Sequence, residues 1–568
     1  MSSRSPRDRA AGPAPAGEDR FRLSLYSPSQ LEKAPPCQAG CPNGNDVRGW
    51  IGLIAQHEKT GMSREEAYGA AWRKLAENNP FPAVLGRVCP HPCEAHCSRA
   101  EREGAVAINA LERFIGDWAI EHGLPLERAE AETQPESIGV VGAGPAGLSF
   151  AYQMARRGYR VTVYERSSKP GGMLMHGIPE YRLPERVVEA EVQRILDLGV
   201  ELRLDTRVGR DVSLADLRAC HSVLFLGIGA QAAKGLGIPG DEGPGVWCGT
   251  EFLDALNAGE PVDVGRRVIV VGGGNTAVDA ARSARRLGAE VTLLYRRTRQ
   301  EMPASEEEVD DAIEEGVRLV ILSAPVEIER DGDGMRAVTV QQMTLGAPDA
   351  SGRRAPVPVA GAISTLDADT VIAAVSQEPD WAGLEDVRPD GVWLHPGEDG
   401  GVAGGVWAGG DALGLGIVGL AISQGRHAAE EVHANLRGLP AAPAAPVRPA
   451  IAPSAVRTDY YPEKPPVSRP RRPSEECADD LDVEVAQTLD EDAFLEEASR
   501  CFSCGLCFGC QQCWMYCNPG GITRLDEVRP GMYFALLLDR CEGCGKCLEV
   551  CPCGFLSEAG AAPEPGGP

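Results

Sequence analysis

The chain has 568 residues, 43% of them hydrophobic and 5% aromatic, and carries a formal net charge of −26. This length predicts several domains, and the acidic balance argues against nucleic acid or an anionic membrane surface as a partner. No stretch approaches the ~20 uninterrupted apolar residues of a membrane span. Residues 1–20 lack the apolar core of a secretory signal, so a cytoplasmic protein with a disordered polar tail is expected.

Residues 21–130 read as short helical pieces with cysteines near both ends. Cys37-x3-Cys41-Pro42 is answered by Cys89-x3-Cys93-x3-Cys97. This spacing suits at least one iron–sulfur cube. Disulfides are the alternative and fit a reducing compartment poorly.

A strand–glycine–helix–strand pattern opens at Ser137. Strand Ile138–Val141 runs into Gly142-Ala143-Gly144-Pro145-Ala146-Gly147, a helix follows to Arg157, and a second strand, Val161–Tyr164, ends at Glu165. Gly142 permits the tight turn, Gly144 lets backbone approach a pyrophosphate, and Gly147 lets helix pack on strand. The helix N-terminus favours phosphate, and Glu165 is placed to accept from an unphosphorylated ribose. The pattern returns at Arg266, with Gly272-Gly273-Gly274-Asn275-Thr276-Ala277 after strand Val268–Val271. There the second strand ends in Tyr295-Arg296-Arg297, and two cations replace the acid. A ribose 2′-phosphate wants such partners, so NADPH is favoured over NADH. Two dinucleotide folds in one chain suggest FAD in the first and a nicotinamide in the second. No protein nucleophile, acid–base pair or C-x2-C dithiol is evident in this region, and Cys220 and Cys248 read as isolated, buried structural cysteines.

A Pro/Ala-rich stretch, 438–475, has linker composition. Beyond it, eleven of the 19 cysteines lie between Cys501 and Cys553. Cys541, Cys544, Cys547 and Cys551 follow C-x2-C-x2-C-x3-C-P, and Cys507, Cys510, Cys513 and Cys517 repeat the spacing. Two such runs make a two-cluster ferredoxin-like module in which Cys517 and Cys551 each ligate the other cube. Cys501 and Cys504 are surplus to it. From Ser474 onward, 18 acidic residues face 5 basic ones. This acidity suits either a solvated surface or a docking face for a basic electron-transfer partner.

The expected fold class is α/β. It comprises an N-terminal α-helical iron–sulfur domain (21–130), an FAD-binding domain (131–255 and 365–437) and an inserted NAD(P)H-binding domain (256–364), both Rossmann-like. The linker (438–475), a ferredoxin-like domain with two 4Fe-4S clusters (476–556) and a disordered tail (557–568) follow.

Over residues 35–437 the chain resembles the small subunit of bacterial glutamate synthase. Relatives of that subunit include the flavoprotein parts of dihydropyrimidine dehydrogenase and of electron-bifurcating transhydrogenases. The motifs are Arg87-Val88-Cys89-Pro90 with Cys93 and Cys97, GAGPAG, Gly171-Gly172-Met173 with the segment Ile178 to Pro184, GGGNTA with YRR, and Gly409-Gly410-Asp411 with Ala421-Ile422 and Gly425-Arg426. The resemblance implies Gly172, Arg182, Gly410, Asp411, Gly419 and Ala421 as cofactor-binding residues, with Asp411 on the ribityl chain and Gly419 to Ala421 by the isoalloxazine. Ala374-Val375-Ser376 departs from the family, which has a glycine there. The resemblance also implies two N-terminal clusters. One uses Cys41, Cys89 and Cys93 with a side chain near Glu112. The other uses Cys37 and Cys97 with an upstream C-x2-C, and no cysteine precedes Cys37 in this sequence. The tail stretch Glu497 to Cys504 matches the missing element, so Cys501 and Cys504 are expected either to complete that cluster or to remain spare beside a single N-terminal cluster.

The tail, with Cys513-Trp514-Met515-Tyr516-Cys517, resembles the flavoprotein that accompanies dissimilatory sulfite reductase. The implied function is electron passage between NADPH (NADH as alternative) and a redox enzyme or ferredoxin partner through FAD and 4Fe-4S clusters, two of them C-terminal and one or two N-terminal. Dissimilatory sulfite reductase is the candidate partner, and a homodimer the candidate assembly. The alternatives are a glutamate synthase small subunit, an electron-transfer subunit of a 2-oxoacid:acceptor oxidoreductase, or a structural subunit with vestigial nucleotide sites.

Overall fold

A computed structural model describes residues 27–332, 334–349, 352–397, 400–440, 448–477 and 480–558. The expected tail at 1–20, residues 559–568 and linker residues 441–447 lie outside the described residues.

The body is built on two sheets. In the first, β2 (Ser137–Val141), β3 (Arg160–Tyr164), β4 (Glu201–Arg203), β5 (Val223–Leu226) and β14 (Val406–Ala408) run in the order β14-β5-β2-β3-β4, with Gly401–Ala403 at the outer edge beside β14. Its inner strands are parallel and buried on both faces, which is why β2 and β5 read as near-continuous apolar runs. Between β2 and β3 lies α5 (Pro145–Arg156), opening with Gly144 as N-cap and Pro145 in its first turn, where a missing N–H costs nothing. Against it packs α8 (Val418–Arg437). A Cβ on Gly425 would stand 2.2 Å from the Ala146 carbonyl, so only glycine allows this crossing.

The second sheet is five-stranded and parallel. It contains β6 (Val246–Cys248), β7 (Arg267–Val271), β8 (Glu290–Leu294), β9 (Arg318–Val320) and β13 (Thr370–Ala373), in the order β9-β8-β7-β13-β6. Helix α7 (Asn275–Arg286) crosses it. Between β9 and β13 the chain forms a three-stranded antiparallel sheet of long strands, β10 (Ser323–Asp331), β11 (Gly334–Pro348) and β12 (Arg354–Asp367). The sequence pattern had not distinguished this insertion.

The N-terminal layer contains α1 (Val47–Ala55), α2 (Arg64–Ala76), α3 (Pro82–Val88) and α4 (Ile108–Glu121). Ser63 and Glu66 form a capping box at the start of α2, satisfying two otherwise orphan N–H groups. Helices α3 and α4 meet backbone to backbone. A Cβ on Gly86 would lie 2.3 Å from the Arg113 Cα, and one on Gly116 would lie 2.3 Å from the Ala83 nitrogen.

The first and last strands of the described residues pair with each other. Strand β1 (Pro28–Gln30) pairs antiparallel with β17 (Leu556–Glu558). Helix α9 (Glu491–Ser499) lays Phe494 flat on Phe114 of α4, with ring centroids 3.8 Å apart. Glu497 and Arg500 form a fully buried ion pair. Arg500 also donates to the Gly104 and Ala105 carbonyls, and Glu497 accepts from the Ala107 and Val467 nitrogens. The Pro-rich stretch expected as a linker is packed where it is described. Ile451, Val456 and Tyr461 are buried with Phe502, because prolines and apolar residues laid over the helical layer cover surface that would otherwise face water. Hairpin β15 (Ile522–Arg529) and β16 (Met532–Leu536) completes the tail. No helix among the described residues is long and apolar enough to cross a membrane.

Candidate functional site

The glycine turns after β2 and β7 open on one cleft of about 1120 Å³ at the carboxyl ends of both sheets, the usual ligand position in open α/β sheets. From the first motif Gly142, Gly144, Pro145, Ala146, Glu165 and Gly172 line it. Gly272, Gly274, Asn275, Thr276, Arg296 and Arg297 come from the second, and Gly410, Asp411 and Ala421 return to it from the C-terminal part of the body. Gly147 and Ala277 lie beneath the turns. A Cβ on Gly147 would come within 2.0 Å of the Gly142 carbonyl, and one on Gly272 within 2.8 Å of the Ala277 Cβ. Gly419 is buried in the first turn of α8, outside the lining.

Local geometry suits a pyrophosphate. Gly142 has φ +98°, and a Cβ on Gly172 would stand 2.9 Å from the Gly144 Cα, so two bare backbones face each other. Glu165 closes the turn from below, accepting from the Ala143 nitrogen at 2.7 Å and the Ser167 nitrogen at 2.9 Å. Asp411 accepts from the Gly416 nitrogen at 3.0 Å, and burial pushes its carboxyl up to about 6. Gly410 donates to Gln424 at 2.7 Å.

Arg182, expected at a cofactor, does not line the cleft. Its guanidinium is bound by Asp279 on α7 at 2.7 Å and by Glu308 at 3.1 Å, away from the cleft, because two buried carboxylates outcompete an open cavity for a buried cation. Arg296 and Arg297 also differ from one another. Arg297 is buried, donating to the Arg354 carbonyl at 2.7 Å and to Asp349 at 2.5 Å. Arg296 is exposed to the cleft, and Arg353, on the turn between β11 and β12, joins it there. Sequence reasoning missed Arg353, because the only signal was a basic pair in an insertion of unknown fold.

The candidate ligand cysteines gather into four groups. Cys41, Cys89 and Cys93 surround Glu112, each feeling the carboxylate's charge. Burial pushes Cys89 up to about 12 and Glu112 up to about 8, and Asn79 donates to Glu112 at 2.8 Å. Cys37, Cys97, Cys501 and Cys504 form the second group, although more than 400 positions separate its halves. Burial raises Cys501 to about 12 and Cys504 to about 11. The Ser503 nitrogen donates to the Cys501 sulfur at 3.4 Å, and Arg48 holds the Cys504 carbonyl at 2.7 Å.

The third group, Cys507, Cys510, Cys513 and Cys551, lines a small cavity under β15 and β16 together with Cys553. In the fourth, Cys541, Cys544 and Cys517 surround Cys547. Cys551 thus stands with cysteines of the first run and Cys517 with those of the second. Among the described residues no group of His, Cys, Asp or Glu is placed to hold a single metal ion. A cube is gripped at its corners, so its thiolates stand wider apart than the ligands of one ion.

Residues 136–426 match the pyridine nucleotide-disulphide oxidoreductase family, and residues 31–124 match dihydropyrimidine dehydrogenase domain II, 4Fe-4S cluster. The glutamate synthase (NADPH) small chain of Azospirillum brasilense is 36% identical over 72% of this chain and 88% of its own length. The NADPH-Fe(3+) oxidoreductase subunit beta of Geobacter sulfurreducens is 40% identical over 62% of this chain, which spans only 52% of that protein. Escherichia coli YgfK, a putative oxidoreductase, is 29% identical over 94% of this chain and 49% of its own length. The chain belongs to the pyridine nucleotide-disulphide oxidoreductases, as a glutamate synthase small-chain-like member with an N-terminal 4Fe-4S domain.

Proposed function

We propose that the protein is an NADPH:acceptor oxidoreductase that binds FAD and a nicotinamide in its central cleft and carries electrons through four iron–sulfur clusters to a partner redox enzyme. Bound together, those groups supply the conversion of a two-electron hydride into single electrons. The residues of the chain hold and orient them. The Gly142–Gly147 turn and Asp411 serve the flavin, and Gly272–Thr276 with Arg296 serve the nicotinamide nucleotide.

The observation that carries the reading is the continuity of the thiol groups. Cys37 and Cys41 lie four positions apart, as do Cys93 and Cys97, so the first two groups adjoin. Cys504 and Cys507 tie the second group to the third, and Cys513 and Cys517 tie the third to the fourth. The first group also adjoins the cleft, since Arg426 of α8, one turn and a half beyond Ala421, donates to the Asn43 carbonyl at 3.2 Å. The far end reaches solvent, because Cys544 is exposed beside the exposed Trp514, Met515 and Tyr516. A cytoplasmic setting keeps such thiols reduced.

Dissimilatory sulfite reductase is the partner favoured by the tail. A glutamate synthase small chain accounts for residues 35–437 and leaves the tail unexplained. The test is anaerobic titration of the purified protein with NADPH. Bleaching of a flavin band followed by loss of the broad iron–sulfur absorbance is expected. Protein purified without flavin absorbance, or flavin untouched by both NADPH and NADH, would overturn the reading.

A further inference from the structure

The third thiol group has one member more than a cube needs. A 4Fe-4S cube takes one thiolate at each of four irons, yet five cysteines line the cavity under β15 and β16. The fifth is Cys553, only 2% exposed, with its sulfur 3.9 Å from that of Cys551. Its position is built into the local backbone. In Cys551-Pro552-Cys553-Gly554 the last residue has φ +65°, and a Cβ there would stand 2.8 Å from the Ala455 carbonyl. Only glycine turns the chain at that point and leaves Cys553 facing inward. The loop is then pinned residue by residue. Arg457 donates to the Pro552 carbonyl at 2.9 Å, Gly505 to the Cys553 carbonyl at 2.6 Å, and Lys33 to the Gly554 carbonyl.

We propose that Cys553 is a reserve ligand, able to take over the cube corner assigned to Cys551. This rests on the reading of the third group as a cluster site. The exchange is redox-neutral. One iron–sulfur bond breaks at Cys551, one forms at Cys553, and one proton passes from the Cys553 thiol to the Cys551 sulfur. A corner served by either of two buried thiols tolerates loss of one of them, which a corner with a single thiol does not.

The test compares full-length proteins purified anaerobically, with iron and acid-labile sulfide counted per chain and the reduced clusters observed by EPR. The flavin-to-protein ratio reports that each variant has folded. Cys510→Ser, with no substitute thiol, is expected to lose one cube, about four irons. Cys553→Ser and Cys551→Ser are each expected to keep the wild-type iron count, the second with an altered EPR signal. The double variant Cys551→Ser/Cys553→Ser is expected to fall to the Cys510→Ser level. Loss of iron in Cys551→Ser equal to that in the double variant, or full iron in the double variant, would overturn the reserve role. Full iron in Cys510→Ser would instead overturn the cluster site on which it rests.

Discussion

Neighbouring residues of like chemistry hold unlike positions in this molecule. Arg296 and Arg297 are indistinguishable in sequence, yet one is exposed in the cleft and the other, buried in its wall, fastens a hairpin turn through Asp349 and the Arg354 carbonyl. Arg296→Ala is therefore expected to raise KM for NADPH about ten- to hundredfold, from a lost charge-assisted contact of about 1.5–3 kcal/mol, and to leave KM for NADH unchanged. Arg297→Ala is expected to lower thermal stability and to raise both KM values, as steady-state kinetics with an artificial acceptor would report. A different residue carries a pH dependence. Glu191 is fully buried on α6 (Glu185–Leu196), accepting from the Ala83 and Val84 nitrogens, and burial lifts its carboxyl from 4.5 to about 7. Its folded-state value lies above its unfolded one. Its stabilising contribution is thus full below about pH 4.5 and is lost as pH rises through about 7. Relative to Glu191→Gln, the wild type should lose about 2 kcal/mol between about pH 5.5 and about pH 8 in urea unfolding. A constant difference would show that the burial cost is met elsewhere.

At the level of elements, the turn from α9 into Cys501–Cys504 is the most consequential. The buried Glu497–Arg500 pair, the Phe494–Phe114 stack and Arg48 together hold this turn against Cys37 and Cys97. Breaking a buried ion pair by removing one partner is costly, so the turn is not free to exchange within the tail. Cys501→Ser/Cys504→Ser should lose about four irons per chain, one cube, while flavin content is unchanged. An unchanged iron content would return these cysteines to the status of spare thiols. The glycine turns, the strand runs and the two ferredoxin-type spacings were legible in the sequence because each is a local pattern with a local physical cause. The antiparallel insertion β10–β12 was not legible, since its strands are long, half exposed and without a sharp period. The place of Arg182 was not legible, because a local motif says nothing about which carboxylates fold beside it.

As a whole molecule, the described chain is laced between its N-terminal layer and its tail. Strand β1 pairs with β17, Tyr533 donates to Gln56 at 2.7 Å, Lys59 to the Phe508 carbonyl at 2.8 Å, Arg471 of the Pro-rich stretch to Asp311, and Arg286 to the Cys477 carbonyl. With so many contacts between the N-terminal layer, the body and the tail, the tail should not melt by itself. Calorimetry of the full chain is expected to show the tail and the N-terminal layer unfolding in one transition. A separate, earlier tail transition would contradict this docking. Cooperative units follow shared burial and need not follow sequence segments.

What the sequence determined by itself was chemistry set by short range: two dinucleotide turns, the thiolate spacings and the cation replacing an acid after β8. What only the tertiary structure decided was which distant groups meet. Cys37 and Cys97 find Cys501 and Cys504, Cys553 finds a cavity already served by four thiols, and Arg353 finds the cleft. The reason is physical. Local backbone geometry is dictated within a few residues, whereas the gathering of buried sulfurs and charges depends on which apolar faces close over them, and that is settled only when the whole chain packs.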